Sequence, residues 1–206
     1  MDNLIIFDVG ANDGSSTYHY TSNPNNIVYA FEPTPFLLEK LYKLAENKPN
    51  YIVINKAVSN IKDKAWFNIA GQADWGCSSL NQFNDNLDIT WEGRTDFKIT
   101  EKIEVDVICL ADFIEENNIK KIDYFHCDIQ GNDLEALMGL KEYIKIVKEG
   151  VIEMPTSHNT KLYKNQKYIV EDAISFLENN NFTITSIVPN DKFNNEVNIY
   201  FKNNLY

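Results

Sequence analysis

Phe7-Asp8-Val9-Gly10-Ala11-Asn12-Asp13-Gly14 is the stretch on which the fold turns. An apolar, β-rich run, Leu4 to Val9, stops at a glycine turn that leads into an expected helix. Runs apolar on nearly every residue suit strands buried on both faces, as in a parallel sheet covered by helices. Two more follow, Ile27 to Phe31 and Tyr51 to Ile54. Between them Phe36, Leu37, Leu38, Leu41, Leu44 and Ala45 recur at helical spacing. Thr34 stands where an N-cap is expected and Pro35 at the first helical position. The segment therefore reads as a β-α-β unit.

The same rhythm resumes further along. Ile103 to Leu110 and Ile122 to Cys127 read as strands around a helix near Ala111 to Asn117, and Leu134 to Ile146 reads as helical with a weak point at Gly139. Val147 to Met154 supplies another strand and Tyr168 to Asn180 an amphipathic helix. Phe182 to Val188 and Val197 to Phe201, joined through Pro189-Asn190-Asp191, are expected to pair as an antiparallel hairpin at or near a sheet edge. The pattern predicts an α/β fold: a Rossmann-like, mostly parallel, doubly wound sheet with a C-terminal antiparallel hairpin. Residues 1–206 are expected to form one domain, with an irregular, lid-like insertion at about 71–100 that is rich in Gly, Asn, Asp and Trp. Trp75, Phe83 and Trp91 within it are read either as lid aromatics or as a small satellite core.

Composition narrows the class of partner. The 206 residues carry 19 Lys and Arg against 30 Asp and Glu, a net charge of −11. A sequence-blind grip on nucleic-acid phosphates needs the opposite sign, so no nucleic acid is expected as a partner. Cys77, Cys109 and Cys127 form no C-x-x-C pair, which fits a reducing cytoplasm. No apolar segment approaches the roughly 20 residues that span a bilayer, and the acidic start MDNLIIFDVG does not resemble a signal peptide. A soluble, cytoplasmic chain without membrane contact is expected.

In a doubly wound sheet the ligand lies outside the strand C-termini, where strand order reverses, so the Gly10 turn should face one. A dinucleotide site wants G-x-G-x-x-G; counting from Gly10, Asn12 and Ser15 take the second and third glycine positions. What remains is Asp8, Gly10 and Gly14, with Glu32 ending the second strand about 20 residues on. An acid there can accept both ribose hydroxyls of an adenosine. An acid two residues before the glycine suits a cationic ligand and repels a pyrophosphate. S-adenosyl-L-methionine, with no phosphate and with ammonium and sulfonium charges, meets both demands.

The ordered series DVGANDG, then AFEP at Ala30 to Pro33, NKAVS at Asn55 to Ser59, SSL at Ser78 to Leu80, DYFHCDIQGNDLEALMG at Asp123 to Gly139 and VIEMP at Val151 to Pro155 resembles the FkbM family of S-adenosylmethionine-dependent methyltransferases. The resemblance spans roughly residues 4 to 155. It implies a class I methyltransferase fold and methyl transfer, usually to a hydroxyl of a sugar, polyketide or other small metabolite or glycan. It also implies that Asp8, Gly10, Asn12 and Gly14 line the methionyl end of the cofactor, that Glu32 holds the ribose, and that Ala57 and Val58 lie near the adenine. Asp128 falls where such enzymes place a residue beside the transferred methyl. Where the family often reads Lys-x-Asp-x-Glu-Gly, this chain has His126-Cys127-Asp128-Ile129-Gln130-Gly131.

Methyl transfer to an alcohol requires alignment of the acceptor with the methyl and sulfur, and removal of a proton. His126 and Asp128 are the candidate bases, and strand alternation puts them on one side of their strand with Cys127 on the other. A divalent ion between Asp128 and Glu153 is an alternative means of activation, although no metal-ligand set is defined by spacing. Ser78 and Ser79 are read as ligand-binding or turn-capping, and Asn132 or Asp133 as the cap of the following helix. Two other readings stay open: a nicotinamide-dependent oxidoreductase, and a non-catalytic binding module on the same fold. Oligomeric state is not readable from this sequence.

Overall fold

The computed structural model describes residues 3–71, 75–85, 87–94 and 97–206. Strand β1 (Ile5–Val9) begins the main sheet, followed by β2 (Ile27–Phe31), helix α1 (Pro35–Ala45) and β3 (Tyr51–Ile54). Next come β4 (Ala57–Ser59), β5 (Asp63–Ala70), the one-turn α2 (Leu87–Thr90), β6 (Ile99–Cys109) and α3 (Leu110–Glu116). Strand β7 (Tyr124–Cys127), α4 (Asp133–Met138), β8 (Glu149–Pro155), α5 (Val170–Asn179), β9 (Phe182–Pro189) and β10 (Glu196–Asn203) complete the order.

Seven strands form the main sheet in the order β3-β2-β1-β7-β8-β10-β9, and β4-β6-β5 form a smaller one. The first five strands of the main sheet run parallel; β10 lies antiparallel between β8 and β9. The C-terminal hairpin is thus the expected one, with β9 rather than β10 at the edge. Strand order reverses between β1 and β7, which places the carboxyl ends Gly10 and Asp128 at a topological switch point. Their junction is tight: Asp128 donates its N–H to Val9 O at 2.9 Å.

Alternation along the central strands divides the core. Phe7, Val9, Phe125, Cys127 and Ile152 face one side, where α3, α4 and α5 bury Leu110, Ile114, Leu134, Leu137, Ala173 and Leu177. Ile6, Val28 and Ala30 face the other, under Leu41 of α1 and Tyr51. Each fully buried side chain of this size contributes about 1.5–3 kcal/mol, and Phe113 of α3 adds edge-on contacts to Phe7, Tyr29 and Phe31.

Three local expectations are corrected. The helix expected after Gly10 is replaced by turns and a 3₁₀ helix at Tyr18–Ser22. Asn12 (φ 50°) and Gly14 (φ 85°) are left-handed, which interrupts the helical ladder before it can nucleate. Residues 57–70, unassigned from sequence, form β4 and β5, because β6 runs four residues longer at its start than its apolar stretch and supplies partners for both. The helical stretch from Leu134 is broken at Gly139, the C-cap of α4, and continues as a 3₁₀ helix at Lys141–Ile146.

Candidate active site

The Gly10 turn is built by contact as well as by conformation. Gly10 has φ +87°, and a Cβ there would lie 1.9 Å from the Asp128 carbonyl oxygen. Only glycine lets the ends of β1 and β7 approach this closely. The N–H groups of Gly10 and Ala11 both donate to Phe31 O at 3.0 Å, which draws the end of β2 into the same junction.

A cavity of about 290 Å³ opens along these strand ends. Following the strand order, its wall takes Glu32 from the end of β2, Gly10 and Asn12 from β1, Asp128 and Gln130 after β7, and Glu196 at the start of β10. Ala57 and Val58 of β4 line it too, with Lys56 beside them. The segment between β5 and β6 contributes Trp75, Trp91, Arg94 and Phe97. Residues 72–74, 86 and 95–96 of the expected insertion lie outside the described residues. Trp75 packs on Phe36 of α1 with ring centroids 3.9 Å apart, whereas Trp91 is buried with Leu87, Leu162 and Tyr163 beside Phe83.

Six of the nine sequence-predicted site residues meet on this wall: Gly10, Asn12, Glu32, Ala57, Val58 and Asp128. Asp8, Gly14 and His126 do not line it. Asp8 is fully buried and both its oxygens are engaged, one with His126 Nδ1 at 2.8 Å and the other with Thr17 Oγ1 at 2.5 Å. Burial pulls the His126 imidazole down, but the hydrogen bond and negative charge of Asp8 outweigh it and hold its pKa above the ordinary value. Gly14 packs against Leu44, Tyr51 and Leu41. These three residues therefore shape the wall from behind.

Glu32 does two tasks. Its Oε2 accepts Asn12 N–H at 3.0 Å and its Oε1 accepts Thr34 N–H at 2.8 Å, so the carboxylate ties the Gly10 turn to the start of α1. A carboxylate has about four lone-pair sites, and two remain for hydroxyl donors. Burial raises its pKa from 4.5 to about 7, against the opposing effect of the Thr34 side chain and the two N–H groups.

After β7, Gln130 stands at φ 58° and acts as an amide clamp. Its Nε2 donates to Asp128 Oδ1 at 2.6 Å and to Glu153 Oε2 at 3.0 Å, and its Oε1 lies 2.8 Å from the Tyr163 hydroxyl. Ser79 Oγ donates to Gln130 O at 2.6 Å, and Ser78 Oγ receives Ala70 N–H, so both serines serve the loops. Asn132 is the N-cap of α4 but makes no side-chain cap bond; Asp133 instead accepts Ile129 and Gly131 N–H and shapes the loop. Burial, then the charge of Asp128, pushes Asp133 up to about 8 and Glu153 well above the usual carboxylate range. Burial, followed by the negative charges of Asp133 and Asp128, pushes the Cys127 thiol well above its ordinary value.

Sequence reading missed Thr17, Asn190 and Glu196. Thr17 lies in a turn that was expected to be helical. Asn190 was read as a turn residue and donates to Glu153 Oε1. Glu196 precedes an apolar run, and nothing in its neighbours marks it. Among the described residues no group of three His, Cys, Asp or Glu side chains is placed to hold a metal ion, and the Gln130 amide fills the space between Asp128 and Glu153. No helix among the described residues is long and apolar enough to cross a membrane.

The sequence profile described as the methyltransferase FkbM domain matches residues 8–184. No curated protein matches the chain by sequence. Among solved structures, the chain is similar to Aeropyrum pernix fibrillarin in complex with natively bound S-adenosyl-L-methionine, at 12% identity and a TM-score of 0.52, covering 96% of this chain and 65% of that one. It is similar to M. capricolum TrmK in complex with S-adenosyl-homocysteine at 14% identity and a TM-score of 0.51, over 98% of this chain and 63% of that one. An rRNA methylase from Streptococcus thermophilus gives 13% identity and a TM-score of 0.52, over 98% and 87%. The chain thus spans about two thirds of the length of the first two. At these identities the likeness is one of fold: a mostly parallel sheet with flanking helices and an antiparallel C-terminal hairpin.

Proposed function

Because the chain belongs to the FkbM methyltransferase family, we propose that it binds S-adenosyl-L-methionine in the cleft at the switch point and methylates a hydroxyl of a small metabolite, sugar or glycan. The observation that carries this reading is the junction of Gly10 with Glu32. A turn that admits close backbone approach meets a buried carboxylate with free lone pairs, in a cavity whose wall bears no phosphate-binding glycine pair. Gly10 and Asn12 would hold the methionyl end, Glu32 the ribose hydroxyls, and Ala57 and Val58 the adenine face. When bound, the cofactor supplies an electrophilic methyl on sulfur.

The remaining work falls to the chain. The acceptor oxygen forms a bond to the methyl carbon as the carbon–sulfur bond breaks and its electron pair returns to sulfur; the hydroxyl proton leaves to a base. Asp128 is assigned that role, because it lines the cavity with one oxygen held by Gln130. His126 is assigned to positioning, since Asp8 occupies its Nδ1 and it does not line the cavity. Trp75, Trp91 and Phe97 of the insertion exclude water from the acceptor. The acceptor wall carries Asp128, Asp191 and Glu196, which opposes phosphate-bearing substrates, so no nucleic-acid substrate is proposed. The three free cysteines fit a reducing cytoplasm.

Calorimetric titration with S-adenosyl-homocysteine tests the cofactor, with micromolar binding expected. Absence of binding at high concentration refutes the reading. Turnover of the methyl donor against hydroxylated acceptors, followed by release of S-adenosyl-homocysteine, tests the chemistry and separates an enzyme from a binding module.

A further inference from the structure

The acceptor end of the cleft holds a carboxylate that the transfer itself does not use. Glu196 opens β10, opposite Pro155 at the end of β8, and lines the cavity while only 6% exposed. Its own N–H is bound by Asp191, but its carboxylate has no hydrogen-bonding partner among the described residues. A buried ionisable group costs several kcal/mol unless it is paired. Its surroundings do not relieve the cost: Asp128, Asp133 and Asp191 all oppose its ionisation, and only Arg94, stacked on Phe97, favours it. The other carboxylates nearby are already engaged. Asp191 accepts Phe193, Asn195 and Glu196 N–H, and Glu153 is held between Gln130 and Asn190.

An aromatic side chain lines the same cavity. Trp91, 4% exposed, lines the cavity, and its buried indole Nε1–H has no acceptor among the described residues. An occupant that offers a positive donor would satisfy Glu196. An ammonium favours the ionised form of Glu196, whose pKa burial and the neighbouring acids otherwise raise to about 8; a hydroxyl does not.

We propose that Glu196 is a specificity residue that selects an acceptor bearing a protonated amine beside its hydroxyls, as an amino sugar does. This rests on the reading of the cleft as a methyltransferase acceptor site and narrows its substrate class. The ammonium pairs with Glu196, and the aromatic side chains of the insertion cover the sugar face.

The test uses the full chain saturated with S-adenosyl-homocysteine and titrated calorimetrically at neutral pH. The probes are glucosamine and galactosamine, their N-acetyl derivatives, and the parent hexoses. At least one amine is expected to bind about tenfold or more tighter than both its N-acetyl and its hydroxyl counterpart, as a charge-assisted bond implies. Glu196→Gln should remove that preference, and Glu196→Asp should keep part of it. No preference for any amine in the wild type overturns the proposal, as does a preference that survives Glu196→Gln. Failure of S-adenosyl-homocysteine itself to bind would instead overturn the cofactor reading. The thermal transition of each variant, with and without S-adenosyl-homocysteine, separates misfolding from lost recognition.

Discussion

Replacing Glu32 by Gln should make the protein lose less stability as pH rises and make it worse at holding its cofactor. The carboxyl is raised from 4.5 to about 7 by burial. Between those values the native state keeps a proton that the unfolded state has released, so stability falls as pH rises through the window. A shift of about 2.5 units corresponds to about 3 kcal/mol at 1.36 kcal/mol per unit. Gln keeps one oxygen as an acceptor, but its Nε2 only donates, so one of the two N–H groups of Asn12 and Thr34 loses its acceptor at every pH. The variant should therefore lie about 1–3 kcal/mol below the wild type near pH 4, and its stability relative to the wild type should rise by about 3 kcal/mol between there and pH 8. Urea denaturation at unit steps of pH measures the difference directly. Asp133, Glu153 and Glu196 also have raised values, but their contributions are common to both proteins and cancel. In the same variant, loss of a charged acceptor for the ribose hydroxyls should weaken S-adenosyl-homocysteine binding by about 1.5–3 kcal/mol, roughly 10- to 100-fold. Parallel pH profiles would refute the buried, raised-pKa state of Glu32; unchanged affinity would place the ribose elsewhere.

Other expectations follow from the same geometry. Gly10→Ala places a methyl 1.9 Å from the Asp128 carbonyl at a left-handed φ, so a loss of about 3 kcal/mol or more is expected in chemical denaturation; near-wild-type stability would deny the tight β1–β7 junction. Gln130→Glu puts a third carboxylate between Asp128 and Glu153, and should cost about 2 kcal/mol or more above neutral pH, with recovery on acidification as the added carboxyl takes up its proton. A pH-independent penalty would indicate a purely steric effect. Because Asp8 holds the His126 pKa up, the imidazole proton resonances of Asp8→Asn should titrate at lower pH than those of the wild type. The stability this pair contributes is full below the unfolded histidine value and is lost as pH rises through the folded one; an unmoved midpoint would remove the ion pair from the account.

How much of the site could be read in advance depends on the kind of residue. Gly10, Asn12 and Glu32 stand at strand ends defined by apolar runs, so their convergence follows from the parallel sheet alone. Asp128 follows in the same way from the run ending at Cys127. Asp8 was readable as an acid at the right position but not as a buried partner of His126, because the β1–β7 register that pairs them joins residues 118 apart. The helix after Gly10 was misread because the positive φ of Asn12 is a choice the sequence permits without announcing.

The sequence by itself determined the alternation of strands and helices, the switch point and the absence of a dinucleotide glycine pattern, since these depend on local periodicity and on residue types at fixed spacing. Only the tertiary structure decided which acids face the cleft. Asp8 is consumed behind the wall and Glu153 is held by Gln130 and Asn190. Glu196, at the far end of the chain, is brought to the cavity by antiparallel pairing of β10 with β8. Charge is a local property of a residue, but its solvation and its partners are set by contacts that sequence spacing does not encode.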